Sequence, residues 1–444
     1  MTTLLLIAAG AGLLYLILSV IDIRLALALF CALLPIYLIR LSLPLPAGPL
    51  ESLPTTLLEI FFWILFAAWL LFGRGKRSPS RGPDLPWHDR DLRRWMPGIV
   101  LLLVGATVGV LVSPSLTAAL GLWRAYFLEP ILFFFVFVDL VRDGRTRRLV
   151  LGALGVTLAA VGVVAVIQKF TGWWIPNPAW QDEPHRRITG FYGFPNGVGL
   201  MAAPVVVLMS AWTIAIARKV RRLRDMAWPA LAGLSAALGV AAIVFAVSEG
   251  AALGVAAGAL AYGLLSRPLR KYALLALIAG CALTLAYAPL RNYASLMLSM
   301  RDDSWRVRQI VWTESLDMLG DRPVFGAGLA GYPEALLPYH AARHIEIFQY
   351  PHSVLLNFWT ETGLIGLAGF VALLWSFFVA AGSVHRERPD EWLPAALIAA
   401  TVALLAHGLV DAPYFKNDLA FLFWILIGLA ASLKLPTKDI AKLR

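Results

Sequence analysis

Long apolar runs alternate with short polar breaks along this chain, and that alternation sets the architecture before any single residue is considered. The runs fall at 3–20, 23–39, 54–72, 97–113, 118–141, 149–168, 196–217, 226–247, 251–266, 272–288, 352–381, 393–410 and 419–433. A helix rises about 1.5 Å per residue, so runs of this length suit a hydrocarbon layer roughly 30 Å thick. The pattern predicts an all-α polytopic membrane protein of about 12 (12–13) transmembrane helices. One integral membrane domain covers 1–433, and a basic tail follows at 434–444. The first run lacks a basic start and a small-residue cleavage site, so it reads as a retained span and not as a signal peptide. If one of the first three runs is re-entrant or interfacial, twelve spans leave both ends inside. Thirteen place the N-terminus outside.

The polar breaks orient the spans. Lys and Arg crowd the connections at 74–94, 142–148, 218–224, 267–271 and 385–388, and short basic loops mark the cytoplasmic side. Alternation from the first of these puts every other basic loop inside as well. It puts 169–195, 248–250, 289–351 and 411–418 outside. The 289–351 loop holds six Arg against seven Asp and Glu, so it is nearly neutral, unlike its inner counterparts.

Composition narrows the partners. Hydrophobic residues make up 59% of the chain and mean hydropathy is +0.74. The net charge of +11 sits in the inner loops, where anionic lipid headgroups are a simpler partner than nucleic acid. Cys31 and Cys281 both lie within apolar runs, which leaves no disulfide framework or metal-binding cysteine pair.

Two outer segments carry the candidate chemistry. The first runs from Asn177 to Asn196, where His185-Arg186-Arg187-Ile-Thr-Gly190 precedes Phe191-Tyr-Gly-Phe-Pro195-Asn196. Its arginines stand on the side that the positive-inside rule disfavours, which points to an anionic ligand gripped by planar guanidinium groups. The plainer reading is a solvated loop whose arginines snorkel to lipid phosphates. The second is the 289–351 loop, too long for a mere connection. From Asp303 or Ser304 the apolar positions Trp305, Val307, Ile310, Val311, Trp312, Leu316 and Leu319 recur at helical spacing. An amphipathic helix is expected there, lying at the membrane surface, with Arg308 and Trp312 one turn apart. Gly320 and Pro323 end it, and a second short helix is expected between Pro333 and Ile347. Arg301 and Arg306 add cations to the same stretch.

His352 follows Pro351 and is expected in the first turn of the next apolar helix. The positive end of the helix dipole there disfavours protonation and leaves a neutral imidazole, fit to act as a general base. The competing reading is a helix cap or a partner for the surrounding tryptophans. His340 and His344 stand at i,i+4 spacing, but no third ligand or HExxH pattern accompanies them, so a metal is not expected. Arg124 and Glu129 read as a structural pair inside the bundle. Asp411, Lys416 and Asp418 line the last outer loop, where they either close a cavity or are simply solvated.

These elements, in this order, resemble the O-antigen ligase and polymerase family of bacterial envelope enzymes. The matching pieces are Arg187-Ile-Thr-Gly-Phe with Pro195-Asn196, a Ser248-Glu-Gly250 turn, and Ser304-x-x-x-Arg308-x-x-x-Trp312. They continue with Arg322-Pro-Val-Phe-Gly-Ala-Gly328 and Pro351-His352-Ser353…Asn357…Glu361-Thr-Gly363. The likeness covers roughly 185–433. It implies a GT-C-like fold in the bacterial inner membrane, with a long helical periplasmic loop and an active site facing the periplasm. It also implies metal-independent, cofactor-free transfer of a glycan from undecaprenyl diphosphate to an acceptor hydroxyl such as lipid A-core. By motif position, Arg187 and Arg308 hold the diphosphate and His352 serves the acceptor. Arg186, Asn196, Arg301, Arg306 and Trp312 are further substrate-binding candidates.

One position departs from the family pattern. The turn usually reads Ser-Arg-Gly, and here Glu249 replaces the cation, either as a second base or as a salt-bridge partner of Arg187 or Arg308. A ligase and a polymerase differ only in the acceptor. A transporter would show internal repeats and charges near the midplane of the membrane, and no convincing repeat is present.

Overall fold

The computed structural model describes residues 2–44, 52–72, 92–217, 226–298 and 303–434. In chain order it comprises α1 (Thr2–Ile21), α2 (Ile23–Ala32), a hairpin of β1 (Arg40–Pro44) and β2 (Ser52–Thr56), α3 (Leu57–Phe72), α4 (Met96–Leu111) and α5 (Leu116–Leu122). Then follow α6 (Glu129–Leu140), α7 (Gly144–Thr171), α8 (Pro195–Ala217), α9 (Ala227–Ala246), α10 (Glu249–Leu265), α11 (Arg270–Ala286) and α12 (Ala288–Leu298). The chain closes with α13 (Asp303–Asp321), α14 (Tyr332–Leu336), α15 (Val354–Glu387), α16 (Trp392–Gly408) and α17 (Asn417–Ser432). Among the described residues six helices are long and apolar enough to cross a membrane, and six shorter apolar helices of 10–17 residues accompany them. The protein is a multi-pass helical membrane protein.

Two local departures from the expected all-α pattern have plain causes. The run 23–39 does not form one helix, because Pro35 lacks the N–H that would continue it; α2 stops at Ala32 and a 3-10 turn spans Leu34–Leu38. Beyond it β1 and β2 pair antiparallel, Arg40 opposite Thr56 and Pro44 opposite Ser52. Pro44 and Pro54 deny this segment to a helix, and a short hairpin is the alternative.

The run 118–141 is helical throughout, but its middle turn, Trp123–Leu128, is a π-helix. Its wider winding bonds i to i+5, so the N–H of Glu129 donates to the carbonyl of Arg124. The two side chains therefore share a face. Arg124 Nε lies 3.4 Å from Glu129 Oε1, and its Nη2 lies 2.9 Å from Glu59 Oε2 on α3. The expected Arg124–Glu129 pair is present, and Asn417 at the start of α17 donates to the other Glu59 oxygen at 2.9 Å.

α8 and α17 are apolar on nearly every side and are buried through most of their length, as helices at the centre of a bundle should be. α4 and α15 run against each other through glycines. A Cβ at Gly105 would overlap the backbone of Gly366, and one at Gly369 would overlap Leu102. Small residues of this kind let helix backbones approach within a membrane.

α15 is broken at Gly363, where φ is +65° and ψ is −174°. The Pro323–Gly331 segment fills the break. Ala327 N–H donates to Thr360 O at 2.7 Å, Leu364 N–H to Val324 O at 2.9 Å, and Leu329 N–H to Gly109 O on α4 at 2.9 Å. Glu361 accepts from Ala330 N–H at 2.8 Å. The groups freed by the break are thus satisfied inside the protein, a requirement wherever no water can reach them. α13, α14 and this segment share a small core of their own, built on Met318, Leu319, Tyr332 and Leu336.

Candidate functional site

The loop carrying Arg187 is held by a residue that the sequence reading did not single out. Gln168 on α7 is fully buried, and its side-chain oxygen accepts from Thr189 N–H at 3.0 Å and Gly190 N–H at 2.8 Å. Its Nε2 donates back to Gly190 O at 3.0 Å. Arg187 N–H donates to Trp180 O, and Ile188 N–H to Phe245 O at the end of α9. The loop is therefore fixed against the α9–α10 connection, and the Arg187 side chain lies across it. Nε donates to Ala246 O at 3.1 Å and Nη2 to Val247 O at 3.2 Å, which caps the C-terminal end of α9 with a cation. Burial pushes the Arg187 guanidinium pKa down, and Glu249 opposes that shift.

Arg186 is used differently. It donates to Lys169 O at 2.8 Å, to Gln181 O at 2.8 Å and to Glu183 at 2.9 Å, so it fastens its own loop to the end of α7. Asn196 lies in the first turn of α8 and is half-buried.

The Ser248–Gly250 turn abuts the end of α16 and the loop beyond it. A Cβ at Gly250 would sit 2.7 Å from the His407 ring and 3.0 Å from Val410. Gly199 and Gly254 face the same histidine, with a Cβ at Gly199 only 3.2 Å from His407 Cε1. Three glycines from two helices thus leave room for one buried imidazole. His407 was not among the sequence candidates, and the only advance sign of it was the glycine spacing on α8 and α10.

Arg308 and His352 meet this loop from the other side. Arg308 on α13 donates through Nε to Val410 O at 3.1 Å and through Nη1 to Ser304 O at 3.4 Å. His352 Nδ1 lies 3.4 Å from Asp411 Oδ1, a long contact; the histidine side chain is 24% exposed and that of Asp411 only 3%. Burial alone would raise the Asp411 carboxyl, but the His352 hydrogen bond, the charges of His352 and His407 and the Ala412 N–H together hold it at about 2. Phe348 and Tyr350 stand edge-on to the His352 ring at 4.9 and 5.3 Å.

Here the expected position of His352 needs correcting. α15 starts at Val354 with Ser353 as its N-cap, and His352 precedes both in a left-handed conformation with φ of +49°. It is not in the first helical turn. What orients its ring is the carboxylate from the loop between α16 and α17, so the argument from the helix dipole gives way to one from Asp411.

Trp312 secures this arrangement. Its Nε1 donates to Pro351 O at 2.8 Å, and its ring packs edge-on to Trp305 at 5.3 Å. α13 is thereby tied to the residue next to His352. Arg306 on the same helix is exposed. Arg301 lies outside the described residues. His340 is engaged away from the site, with Nδ1 3.0 Å from Glu314 Oε2 and Nε2 3.1 Å from Ile345 O. It clasps the 340–345 segment to α13. The second short helix expected after Pro333 is present as α14 and a 3-10 turn, Leu337–Tyr339.

Arg187, Arg308 and His352 are far apart in sequence, and all three bear on two adjoining segments, 246–250 and 407–412. That cluster joins two guanidinium groups to an imidazole oriented by a carboxylate.

Comparison with known proteins agrees with the motifs. The O-antigen ligase family model matches residues 234–371, a stretch holding Glu249, Arg308, Trp312 and His352 but not Arg187 or Asp411. The resemblance to that family is borne out, and it supports an enzyme of the O-antigen ligase or polymerase type. No curated protein matches the chain at a significant level.

Proposed function

We propose that this chain is a glycosyltransferase of the bacterial inner membrane that joins a glycan carried on undecaprenyl diphosphate to an acceptor hydroxyl, lipid A-core or another envelope glycan. The observation that carries the reading is the approach of Arg187, Arg308 and the His352–Asp411 pair to one pair of adjoining segments. The site would face the periplasm within a GT-C-like fold, and the lipid tail would lie against the spans.

The chemistry follows from charge. With Nδ1–H of His352 donating to Asp411, Nε2 is left to accept a proton. The acceptor hydroxyl gives its proton to Nε2 as its oxygen attacks the anomeric carbon. The bond from that carbon to the diphosphate oxygen breaks, and the electron pair leaves with the diphosphate. Arg308 and Arg187 are cations placed in advance for that growing negative charge, and such preorganised groups act on the transition state more than on the ground state. Attack opposite the leaving group inverts the anomeric centre. The 3.4 Å His352–Asp411 contact is expected to shorten once substrate is bound.

The test is a reconstituted reaction of the purified protein with undecaprenyl-diphosphate glycan and lipid A-core, run with and without a chelator. Transfer that survives chelation, and that is lost in folded Arg308→Ala and His352→Ala variants, supports the reading. Lengthening of the glycan on its own carrier identifies a polymerase using the same site. Transfer that persists in both variants removes these residues from the chemistry.

A further inference from the structure

Residues 409–416 join α16 to α17 and are neither helix nor strand, so no ladder of backbone hydrogen bonds sets their course. Yet Asp411, Ala412, Tyr414 and Phe415 are all buried. Side chains must fix such a segment, and two of them lead to the same distant element. The Tyr414 hydroxyl donates to Tyr126 O at 2.7 Å, and Asn417 Nδ2, at the start of α17, donates to Glu59 Oε1 at 2.9 Å. Tyr126 lies in the π-turn at Trp123–Leu128, and the other Glu59 oxygen accepts from Arg124 of that turn at 2.9 Å.

The sequence explains why this turn has a carbonyl to offer. Pro130 stands four residues after Tyr126. It has no N–H to give Tyr126 O its α-helical hydrogen bond, and in a regular helix its ring would collide with that carbonyl. The wider π winding relieves the collision, and the carbonyl accepts from Tyr414. Glu59 is a second fixed point. It is buried on α3, and Thr55 Oγ1 at 2.7 Å and Thr56 N–H at 2.8 Å hold its Oε2 alongside Arg124. Phe127 of the π-turn adds packing, its ring 5.8 Å from that of Tyr414 and 6.1 Å from that of Phe415. Asp411, whose carboxylate lies 3.4 Å from His352 Nδ1, belongs to the segment held in this way.

We infer that Tyr414 and Asn417 are positioning residues of the transfer reaction: by tying 409–416 to the π-turn and to Glu59, they hold Asp411 where it orients His352. The inference rests on the proposed reaction and adds to it. Both residues act through Asp411 and not on the substrate. A misplacement of about 1 Å at a catalytic group can slow a reaction by about two orders of magnitude, so a loosened segment has a large readout.

The experiment uses the full chain in lipid nanodiscs, as wild type, Tyr414→Phe and Asn417→Leu, each with and without Asp411→Ala. Trp69→Phe is the control, since it removes a buried hydrogen bond to Asp139 near the other end of α3. Hydrogen exchange, read by mass spectrometry on peptides covering 409–416, reports on the segment independently of activity. Exchange there should be faster by about tenfold in Tyr414→Phe and Asn417→Leu, with α6 and α15 as protected as in wild type. In glycan transfer both variants should lower kcat by about tenfold and keep KM for donor and acceptor within about twofold of wild type. In the Asp411→Ala background the same two changes should cost less than about twofold, because nothing is left for them to position. Trp69→Phe should keep wild-type kcat and wild-type exchange at 409–416.

Wild-type exchange in both variants, or faster exchange with wild-type kcat, overturns the inference and leaves the transfer reading intact. A kcat loss of equal size with and without Asp411 does the same, because it makes Tyr414 and Asn417 general supports of the fold. A similar kcat loss in Trp69→Phe has that meaning too. Wild type that protects 409–416 but transfers no glycan overturns the transfer reading, and the inference falls with it.

Discussion

Replacing Asp411 by asparagine tests the arrangement at its centre, because the change keeps the shape and removes the charge. The carboxyl is buried, yet its neighbours lower its pKa from 3.8 to about 2. At about 1.36 kcal/mol per unit, that drop corresponds to roughly 2 kcal/mol in favour of the ionised form in the folded protein. The sign follows from linkage. A carboxyl whose pKa is lower folded than unfolded contributes stability above about pH 4 and loses it as pH falls toward 2. Asp411→Asn should therefore be less stable than wild type by about 2 kcal/mol near pH 5, where the histidines that face the carboxylate add their charge to its hydrogen bonds. The gap should close between pH 4 and pH 2, where wild type is itself protonated. Unfolding in detergent micelles, followed for both proteins across that range, measures it. At pH 7 glycan transfer should also fall at least tenfold, since the amide no longer selects the imidazole tautomer that leaves Nε2 free. A stability gap that is absent near pH 5, or that stays constant down to pH 2, would refute the reasoning.

Other perturbations read other parts of the frame. Arg308→Ala should lower the turnover number by about 10²–10³-fold with little change in unfolding midpoint, the usual effect of losing one preorganised donor; single-turnover transfer measures it. Gln168→Leu removes the acceptor for two buried N–H groups, so proteolysis within 177–190 should accelerate in the folded protein, with a stability loss of about 1–3 kcal/mol. Gly363→Ala combines a backbone region that essentially only glycine visits with a direct collision on Val324 and Phe325. It should lower stability by about 1–3 kcal/mol from backbone strain alone, seen as a reduced thermal midpoint.

The helices were largely legible in the sequence, because an apolar run of this length has few other solutions in a membrane. α13 was legible too: its spacing gave its start near Asp303, its end near Gly320 and the common face of Arg308 and Trp312. The site was legible only in part, and the reason is chemical. Arg187 and Arg308 are held by the backbone carbonyls of Ala246, Val247 and Val410, and a carbonyl looks the same at every position of a sequence. The partner of His352 lies 59 residues further on, in a loop whose acidic residues read equally well as solvated. His407 is marked only by the space that Gly199, Gly250 and Gly254 leave for it. Gln168 looked like one polar residue near the end of a long helix, and nothing in its neighbours announced its hydrogen bonds to Thr189 and Gly190. The stop at Pro35 was hidden by apolar content, which counts alike toward turn and helix, and the pairing of 40–44 with 52–56 lies where the prolines between two apolar runs read only as a turn.

The break in α15 has a consequence for how the chain is made. A helix interrupted at Gly363 enters the bilayer with Thr360 O and Leu364 N–H lacking their helical partners, and in lipid such groups are strongly disfavoured. Their partners, Ala327 and Val324, lie 33 and 40 residues earlier, and the Gly109 carbonyl that anchors the same segment lies earlier still. By the time α15 emerges during synthesis, everything that completes it has already been produced and, on the topology proposed, exported. Vectorial synthesis then assembles this helix from its N-terminal side without waiting for the rest of the bundle. A circular permutant that delivers α15 before 323–331 should insert poorly, even though its folded contacts would be the same.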